Sequence, residues 1–265
     1  MENKLIGRII KCFDEVDSTN TIADELAKKG APEGTVVLAD CQTRGQGRLE
    51  RRWISPPNKG LWFSVILRPQ AEPSAAVQLT LLAAVATALG IESYSGICPE
   101  IKWPNDLLFT GNKICGILCE MDAGETIDHI IIGIGINTNM TLEDLGPELQ
   151  EKATSLWLET GQLVVGPELL DAVLAQLNCW YFKWLAEGFG PVHAAWNRLN
   201  GTIGRFIKVD CGDVQYYGQA VSIDKAGALI LREADGGEKK FDFGEVSIRN
   251  LKSPLDQHIV SQQER

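Results

Sequence analysis

Two runs of strand-forming residues constrain the fold of this chain most. Lys113–Met121 and His129–Asn137 are rich in Ile, Leu and Cys and are joined through the turn Asp122-Ala123-Gly124-Glu125. So short a connection suits antiparallel pairing and not the long crossover that parallel strands require. The chain thus has an antiparallel hairpin near its centre, and its other elements must pack around it.

The preceding segments alternate. Ile9–Phe13 reads as a strand, and Asp17-Ser18-Thr19-Asn20 is a cluster of helix-capping residues. Ile22, Ala23, Leu26 and Ala27 follow at helical spacing up to Gly30, and Thr35–Ala39 and Leu61–Leu67 read as strands. Ser74–Leu89 reads as a helix apolar nearly all round, hence buried. Ile101–Trp103 is expected to be extended, because Pro104 disfavours helix just before it. After the hairpin, Gly166-Pro167-Glu168 starts a long helix with Leu170, Val173, Leu174, Leu177, Tyr181 and Trp184 on one face, and Pro191–Asn200 reads as a shorter helix.

The texture changes after Gly201. Short strands at Ile203–Val209, Gln215–Ile223, Ala228–Leu231, Lys239–Phe243 and Glu245–Arg249 alternate with glycine turns, the pattern of a small β-barrel. The expected organisation is α+β, with strands in hairpins more than in βαβ units. Residues 1–200 form one unit, 201–252 a second, and 253–265 a polar, frayed tail.

Composition excludes several functions. The chain has 265 residues and a formal net charge of −10, so a polyanionic nucleic acid would be repelled by most of its surface. Seven scattered cysteines, without a CxxC pair or nearby histidines, fit reduced thiols rather than a disulfide framework or a zinc site. The N-terminus lacks a signal-peptide core, and no apolar run is expected to approach the length of a membrane span. A soluble cytoplasmic protein is expected.

Against this acidic background, Arg44, Arg48, Arg51 and Arg52 fall within one loop, Thr43–Trp53, with Gly45 and Gly47. Glycines admit positive φ and close approach, backbone N–H groups can form an anion nest, and guanidinium forks suit carboxylate and phosphate. A solvated basic loop without ligand satisfies the same residues. Glu50 stands where a dinucleotide fingerprint wants Gly, and no GxxxxGK[ST] occurs, so a phosphate site here is of another type. Downstream, Lys102-Trp103-Pro104-Asn105-Asp106 reads as a sharp turn, structural or ligand-binding, with Lys113 seven residues on. Lys113 is either a solvated edge residue or an ammonium at a reaction centre. The glycines of Gly133-Ile134-Gly135-Ile136-Asn137 imply a close approach to a strand, by a flat ligand or a packed helix.

In this order, Asp17-Ser18-Thr19-Asn20, Gln42 with the Gly/Arg loop to Trp53, Lys102-Trp103-Pro104-Asn105-Asp106, Lys113-x-x-Gly116-Ile117-Leu118-x-Glu120 and Gly133-Ile134-Gly135-Ile136-Asn137 resemble the biotin–protein ligases. The resemblance runs from about Phe13 to Arg249, with Gly244-Glu245-Val246-Ser247-Ile248-Arg249 resembling the family's small C-terminal domain. It implies a mixed or antiparallel sheet with flanking helices, like class II aminoacyl-tRNA synthetases, plus an SH3-like β-barrel. It implies conversion of biotin and ATP, with Mg²⁺, to biotinyl-5′-AMP, then transfer to a lysine of a carrier domain. Lys113 and Arg48 are the implied catalytic residues. Ser18, Thr19, Asn20, Gln42, Gly45, Gln46, Gly47, Arg48, Lys113, Gly116, Ile117 and Gly133 are implied on the biotin side. Arg48, Arg51, Arg52, Trp53, Asn105, Asp106, Lys113 and Asn137 are implied on the ATP side, while the metal-binding residues stay open. Glu245 and Arg249 are implied to help dock carrier or nucleotide.

Gln46 stands where the family's loop often has Arg, and Glu50 where it has Gly, which reduces positive-φ freedom at position 50. Only 16 residues precede Asp17, too few for the DNA-binding domain of some members, so a ligase without DNA or membrane contacts is expected, with a possible homodimer. The competing readings are a lipoate or octanoate ligase or transferase, a non-catalytic biotin or nucleotide sensor, and a nucleic-acid-binding barrel.

Overall fold

The computed structural model describes residues 4–212 and 214–248. In chain order it has β1 (Ile10–Val16), α1 (Thr19–Lys28), β2 (Val36–Gln42), β3 (Gly60–Leu67), α2 (Ala75–Ser95), β4 (Glu100–Lys102), β5 (Asp106–Phe109), β6 (Asn112–Ala123) and β7 (Ile127–Asn137). Two short helices, α3 (Leu142–Leu145) and α4 (Leu156–Thr160), precede α5 (Gly166–Glu187) and α6 (Gly190–Leu199). The strands β8 (Phe206–Asp210), β9 (Gln215–Ile223), β10 (Leu229–Arg232), β11 (Glu238–Phe241) and β12 (Glu245–Ser247) follow.

The expected hairpin is the middle of a seven-stranded sheet ordered β1-β2-β3-β7-β6-β5-β4. Ile117 faces Ile134, and Gly116 faces Gly135. All neighbours run antiparallel except β1 and β2, which are parallel and joined by α1 as a βαβ unit. The run Ile130-Ile131-Ile132 lacks alternation because both sheet faces are covered. Ile130 and Ile132 belong to the large core under α2 and α5, while Ile131 packs with Ala23 and Ala27 of α1, Val37 and Ile66. His129 reinforces the α1 side, its Nε2 lying 2.9 Å from Asp24 Oδ1.

Helix α2 is longer than its periodicity implied and ends at Gly96, in the left-handed region at φ 76°. Contrary to the sequence expectation, its 21 residues are long and apolar enough to cross a membrane by length and composition. The physical reason is its position: it packs against α5, α6, β4 and β6, and 67% of its most apolar stretch is buried inside the protein. A helix enclosed on most sides carries no polar face.

The second sheet is antiparallel, ordered β11-β10-β9-β8-β12. Its strands fall within a few residues of those expected, and Arg249 lies outside the described residues. This sheet is fastened to the end of β4. The Trp103 backbone N–H donates to Thr202 Oγ1 at 2.9 Å, and its indole N–H donates to the Gly227 carbonyl at 3.0 Å. Gly201 N–H donates to the Ile101 carbonyl at 2.9 Å. Trp103 is fully buried, as is Thr202. The fold is α+β, a mixed sheet with flanking helices and a small C-terminal β domain.

Thr202→Val keeps the shape and removes the acceptor of a buried N–H. Urea unfolding is expected to show a loss of about 1–3 kcal/mol. An unchanged midpoint would mean this bond does not hold the two sheets together.

Candidate active site

A cleft of about 750 Å³ opens where β6 and β7, the start of α1, the loop after β2, the β4–β5 turn and residues 245–248 meet. Every residue assigned above to the biotin or ATP side lines it except Gly45; Arg44 of the same loop does not line it, and Arg249 lies outside the described residues.

The charge centre lies on neighbouring strands. Register places Lys102 of β4 opposite Asp106 of β5, and Asp106 opposite Gly116 of β6. Lys113 Nζ is 2.6 Å from Asp106 Oδ1, and Lys102 Nζ is 2.9 Å from Oδ2. Burial pushes the Asp106 carboxyl up, but the two ammonium groups more than offset this and hold it below its ordinary value of 3.8. Lys113 Nζ also lies over the Trp53 ring, 5.0 Å from its centroid. Lys113 is therefore not a solvated edge residue. Lys102 belongs to the same cluster; the sequence marked it as the start of the turn motif but gave it no role in the site.

The turn Trp103-Pro104-Asn105 carries a cis Trp103–Pro104 bond. Asn105 is pinned to β6, its Nδ2 donating to the Ile117 carbonyl at 2.6 Å while Ile117 N–H donates to the Asn105 carbonyl at 3.0 Å. Asn105 Oδ1 accepts from Arg48 Nη1 at 3.2 Å, and the same Arg48 nitrogen donates to the Gly244 carbonyl at 3.1 Å. Burial lowers the Arg48 guanidinium from its ordinary value, with Asp106 and Glu245 opposing the shift. Arg51 pairs with Glu245 at 2.5 Å. Two arginines thus tie the loop to the C-terminal sheet.

The loop folds back on itself. Trp53 N–H donates to the Gly45 carbonyl at 2.8 Å and Gly47 N–H to the Arg51 carbonyl at 2.6 Å. Arg48–Glu50 form one 3₁₀ turn, with Leu49 at φ 54°, ψ 43°. The positive φ that Gly45 and Gly47 would admit thus falls on Leu49 instead. The tight turn lies one residue after Arg48, where the guanidinium is drawn inward.

At the other end, Thr19 N–H donates to Gln42 Oε1 at 2.9 Å, and Gln42 Nε2 donates to Ser55 Oγ at 2.8 Å. Ser18 occupies the N-cap of α1, yet its hydroxyl makes no capping bond. Asn20 Nδ2 donates to Glu120 Oε2 at 2.6 Å, and Ser64 Oγ donates to Asn20 Oδ1 at 2.6 Å. Asn137 Nδ2 donates to the Thr154 carbonyl at 2.9 Å. Asn20, Asn105 and Asn137 therefore brace the site through protein partners.

The strand glycines are explained by side chains from elsewhere. A Cβ at Gly133 would lie 2.1 Å from Asn20 Oδ1, and one at Gly135 would lie 2.5 Å from Trp53 Nε1. The indole packs edge-on to Trp62, 6.4 Å between centroids, and its buried N–H has no partner among the described residues. Met140, Leu145, Leu149, Lys152 and Ala153 line the cleft from a segment the sequence left unread. Lys113 N–H donates to the Lys152 carbonyl at 2.8 Å, which places this segment beside the charge centre. Ser64 was also missed, although a single hydroxyl inside the apolar run of β3 was its visible signal.

Comparison with known proteins fits this geometry. Residues 12–137 match the Biotin/lipoate A/B protein ligase family, and residues 202–249 match the Biotin protein ligase C terminal domain. The chain is 40% identical over 240 residues to the bifunctional ligase/repressor BirA of Bacillus subtilis (strain 168), covering 90% of this chain and 74% of that relative. The chain belongs to the biotin protein ligases. This ligase is also 36% identical over 226 residues to the biotin–[acetyl-CoA-carboxylase] ligase of Paracoccus denitrificans, covering 83% of this chain and 92% of that one. Its fold matches the biotin protein ligase from Aquifex aeolicus in complex with biotin and ATP, with a TM-score of 0.79 at 30% identity, covering 91% of this chain and 99% of that one.

In the ligase, Asp106→Asn leaves two half-buried ammonium groups without their counter-charge. Denaturant unfolding at neutral pH is expected to lose about 3 kcal/mol. Because the folded carboxyl titrates below 3.8, its contribution is present above that pH and is lost as pH falls through the folded value. The wild type should therefore lose stability on acidification more steeply than the variant. Parallel acid profiles would contradict the cluster's role.

Proposed function

We propose that this ligase activates biotin with ATP to biotinyl-5′-AMP and transfers the biotin to a lysine of a biotin carrier domain. The observation that carries the reading is the convergence of Lys113 and Arg48 at one end of a cleft whose other end is lined by neutral polar groups, Ser18, Thr19 and Gln42. Neutral donors and acceptors suit the ureido ring, while the cationic end suits carboxylate and α-phosphate.

The chemistry follows from charge. The biotin carboxylate attacks the α-phosphorus, a P–O bond forms, and pyrophosphate leaves. Both reactants are anionic, so their approach is unfavourable unless positive charge is fixed between them. Lys113, steered by Asp106 and Trp53, and Arg48, held by Asn105 and Gly244, supply that charge. In the second step a neutral lysine amine attacks the acyl carbon, AMP leaves, and the amine proton passes to solvent. The folded-back loop keeps water from the anhydride until then.

Trp53, Arg51, Arg52, Asn105, Asp106 and Asn137 take the nucleotide side in this reading. Ser18, Thr19, Asn20, Gln42, Gln46, Gly47, Gly116, Ile117 and Gly133 take the biotin side, with Gly45 supporting the loop. Among the described residues no group of three or more His, Cys, Asp or Glu gathers as a metal site. Asp106 is already engaged by two lysines, so Mg²⁺ fits here only as a companion of the ATP phosphates. Residues 1–200 are the catalytic unit and 201–252 the C-terminal domain that holds its loop. Seven free thiols and the use of ATP fit the cytoplasm, and the net charge of −10 disfavours DNA. A homodimer is part of the proposal, supported by the exposed edge strand β1.

Biotin-dependent exchange of pyrophosphate into ATP, followed by labelling of a carrier domain, is the expected result, with lipoate inactive. Exchange with lipoate alone would replace biotin by lipoate as the substrate. Lys113→Ala should lower exchange about 100-fold or more while biotin binding by calorimetry changes far less. Equal losses in both would make Lys113 a binding residue only.

A further inference from the structure

We propose that Ser64 and Glu120 are positioning residues for substrate recognition, acting through Asn20 to fix the polarity of the Thr19 hydroxyl in the cleft. The inference rests on the biotin reading above and adds how this protein recognises the N–H side of the ureido ring. Neither residue lines the cleft: Ser64 is fully buried on β3, and Glu120 lies on β6 beyond Leu118. Any effect they have on substrate passes through another side chain.

The chain of contacts has one self-consistent proton order. A carboxylate only accepts, so the Asn20 atom 2.6 Å from Glu120 Oε2 is the amide nitrogen. Asn20 therefore turns its carbonyl oxygen towards Ser64 Oγ, 2.6 Å away. That oxygen also only accepts, and it takes the single Ser64 proton. Ser64 Oγ is 2.8 Å from Thr19 Oγ1 as well, and with its proton committed it can only accept there. The Thr19 proton then points to Ser64. Gln42 Oε1 takes the Thr19 backbone N–H at 2.9 Å and, with its second lone pair 3.1 Å from the Thr19 hydroxyl, is the longer alternative acceptor of the Thr19 proton. Thr19 Oγ1 is left with lone pairs and no proton for a ligand in the cleft.

A hydroxyl locked as an acceptor favours a ligand that donates. The ureido ring of biotin has N–H donors, whereas the dithiolane of lipoate has none. An unlocked hydroxyl rotates and accommodates either partner, so the lock supplies discrimination as well as affinity. The strand context explains the arrangement. Gly133 leaves room for the Asn20 amide, so the helix start lies directly on the sheet.

The test compares wild type, Ser64→Ala, Glu120→Ala and Glu120→Gln as full chains. The readouts are pyrophosphate exchange with biotin, with biotin methylated on a ureido nitrogen, and thermal midpoint. Ser64→Ala and Glu120→Ala are expected to raise KM for biotin on the order of 10-fold, with kcat and KM for ATP unchanged. Both should also lose most of the wild-type preference for biotin over the N-methyl analogue. Glu120→Gln keeps an acceptor oxygen and should recover most of the loss. Unchanged preference in well-folded variants, or equal falls in kcat with constant KM, would overturn the proposal. If Ser64→Ala fails to fold, the Glu120 pair decides alone. No biotin-dependent exchange in the wild type would overturn the functional reading and this inference with it. An active wild type with indifferent variants would overturn only this one.

Discussion

Asp106 is almost wholly shielded from solvent, with one lysine on each carboxylate oxygen. A buried carboxylate alone would be neutral, and two half-buried ammonium groups side by side without it would be destabilising. Together they form a stable cluster that keeps one net positive charge. Arg48, drawn to the same place by Asn105 and Gly244, adds a second. In a chain of net charge −10, this is a local reversal of sign, fixed in advance where two anions must meet. It also restrains Lys113, whose long side chain would otherwise sample many rotamers.

The cluster depends on parts of the chain far apart in sequence. β4, β5 and β6 set the lysine and aspartate positions by strand register alone. The C-terminal sheet then acts on them from two sides. Thr202 and the Gly227 carbonyl hold Trp103 at the head of the turn, and Gly244 and Glu245 hold Arg48 and Arg51 of the loop. The small domain is thus a clamp on the catalytic loop. Leu49, in the left-handed region, marks where the loop must bend to bring Arg48 inward.

Much of this was legible from the residues. The hairpin declared itself through length and composition, whereas the strand order around it depends on long-range pairing that no local pattern marks. The cleft residues were recognisable because each breaks a local rule: glycines within a strand, arginines in an acidic chain, a lysine at the start of an apolar run. Less legible was anything that depends on register or on distant partners. Lys102 is an ordinary lysine until β4 pairs with β5. Ser64 looks like a tolerated hydroxyl until α1 lies over β3. Helix α2 was read as buried, and only its extent past Leu89 was missed, where Gly90 and Glu92 interrupt the apolar run. The glycine rule also failed in the loop, since Leu49 adopts the conformation that Gly is usually needed for.

Asparagine is the residue type whose meaning changed most. Asn20, Asn105 and Asn137 read as ligand contacts, yet their amides are engaged with Glu120, Ile117 and Thr154. They line the cleft together with the lysines, Arg48, Thr19 and Gln42, and at the same time hold strands, helix start and loop in one geometry. In the proposed mechanism Lys113, positioned by Asp106 and Trp53, meets the biotin carboxylate and the α-phosphate. A crystal structure with a non-hydrolysable sulfamoyl analogue of biotinyl-AMP tests this most directly. Lys113 Nζ should lie within hydrogen-bond distance of the acyl-sulfamate oxygens, with Asp106 still paired to Lys102. A Lys113 that stays on Asp106, out of reach of the linkage, would contradict the account.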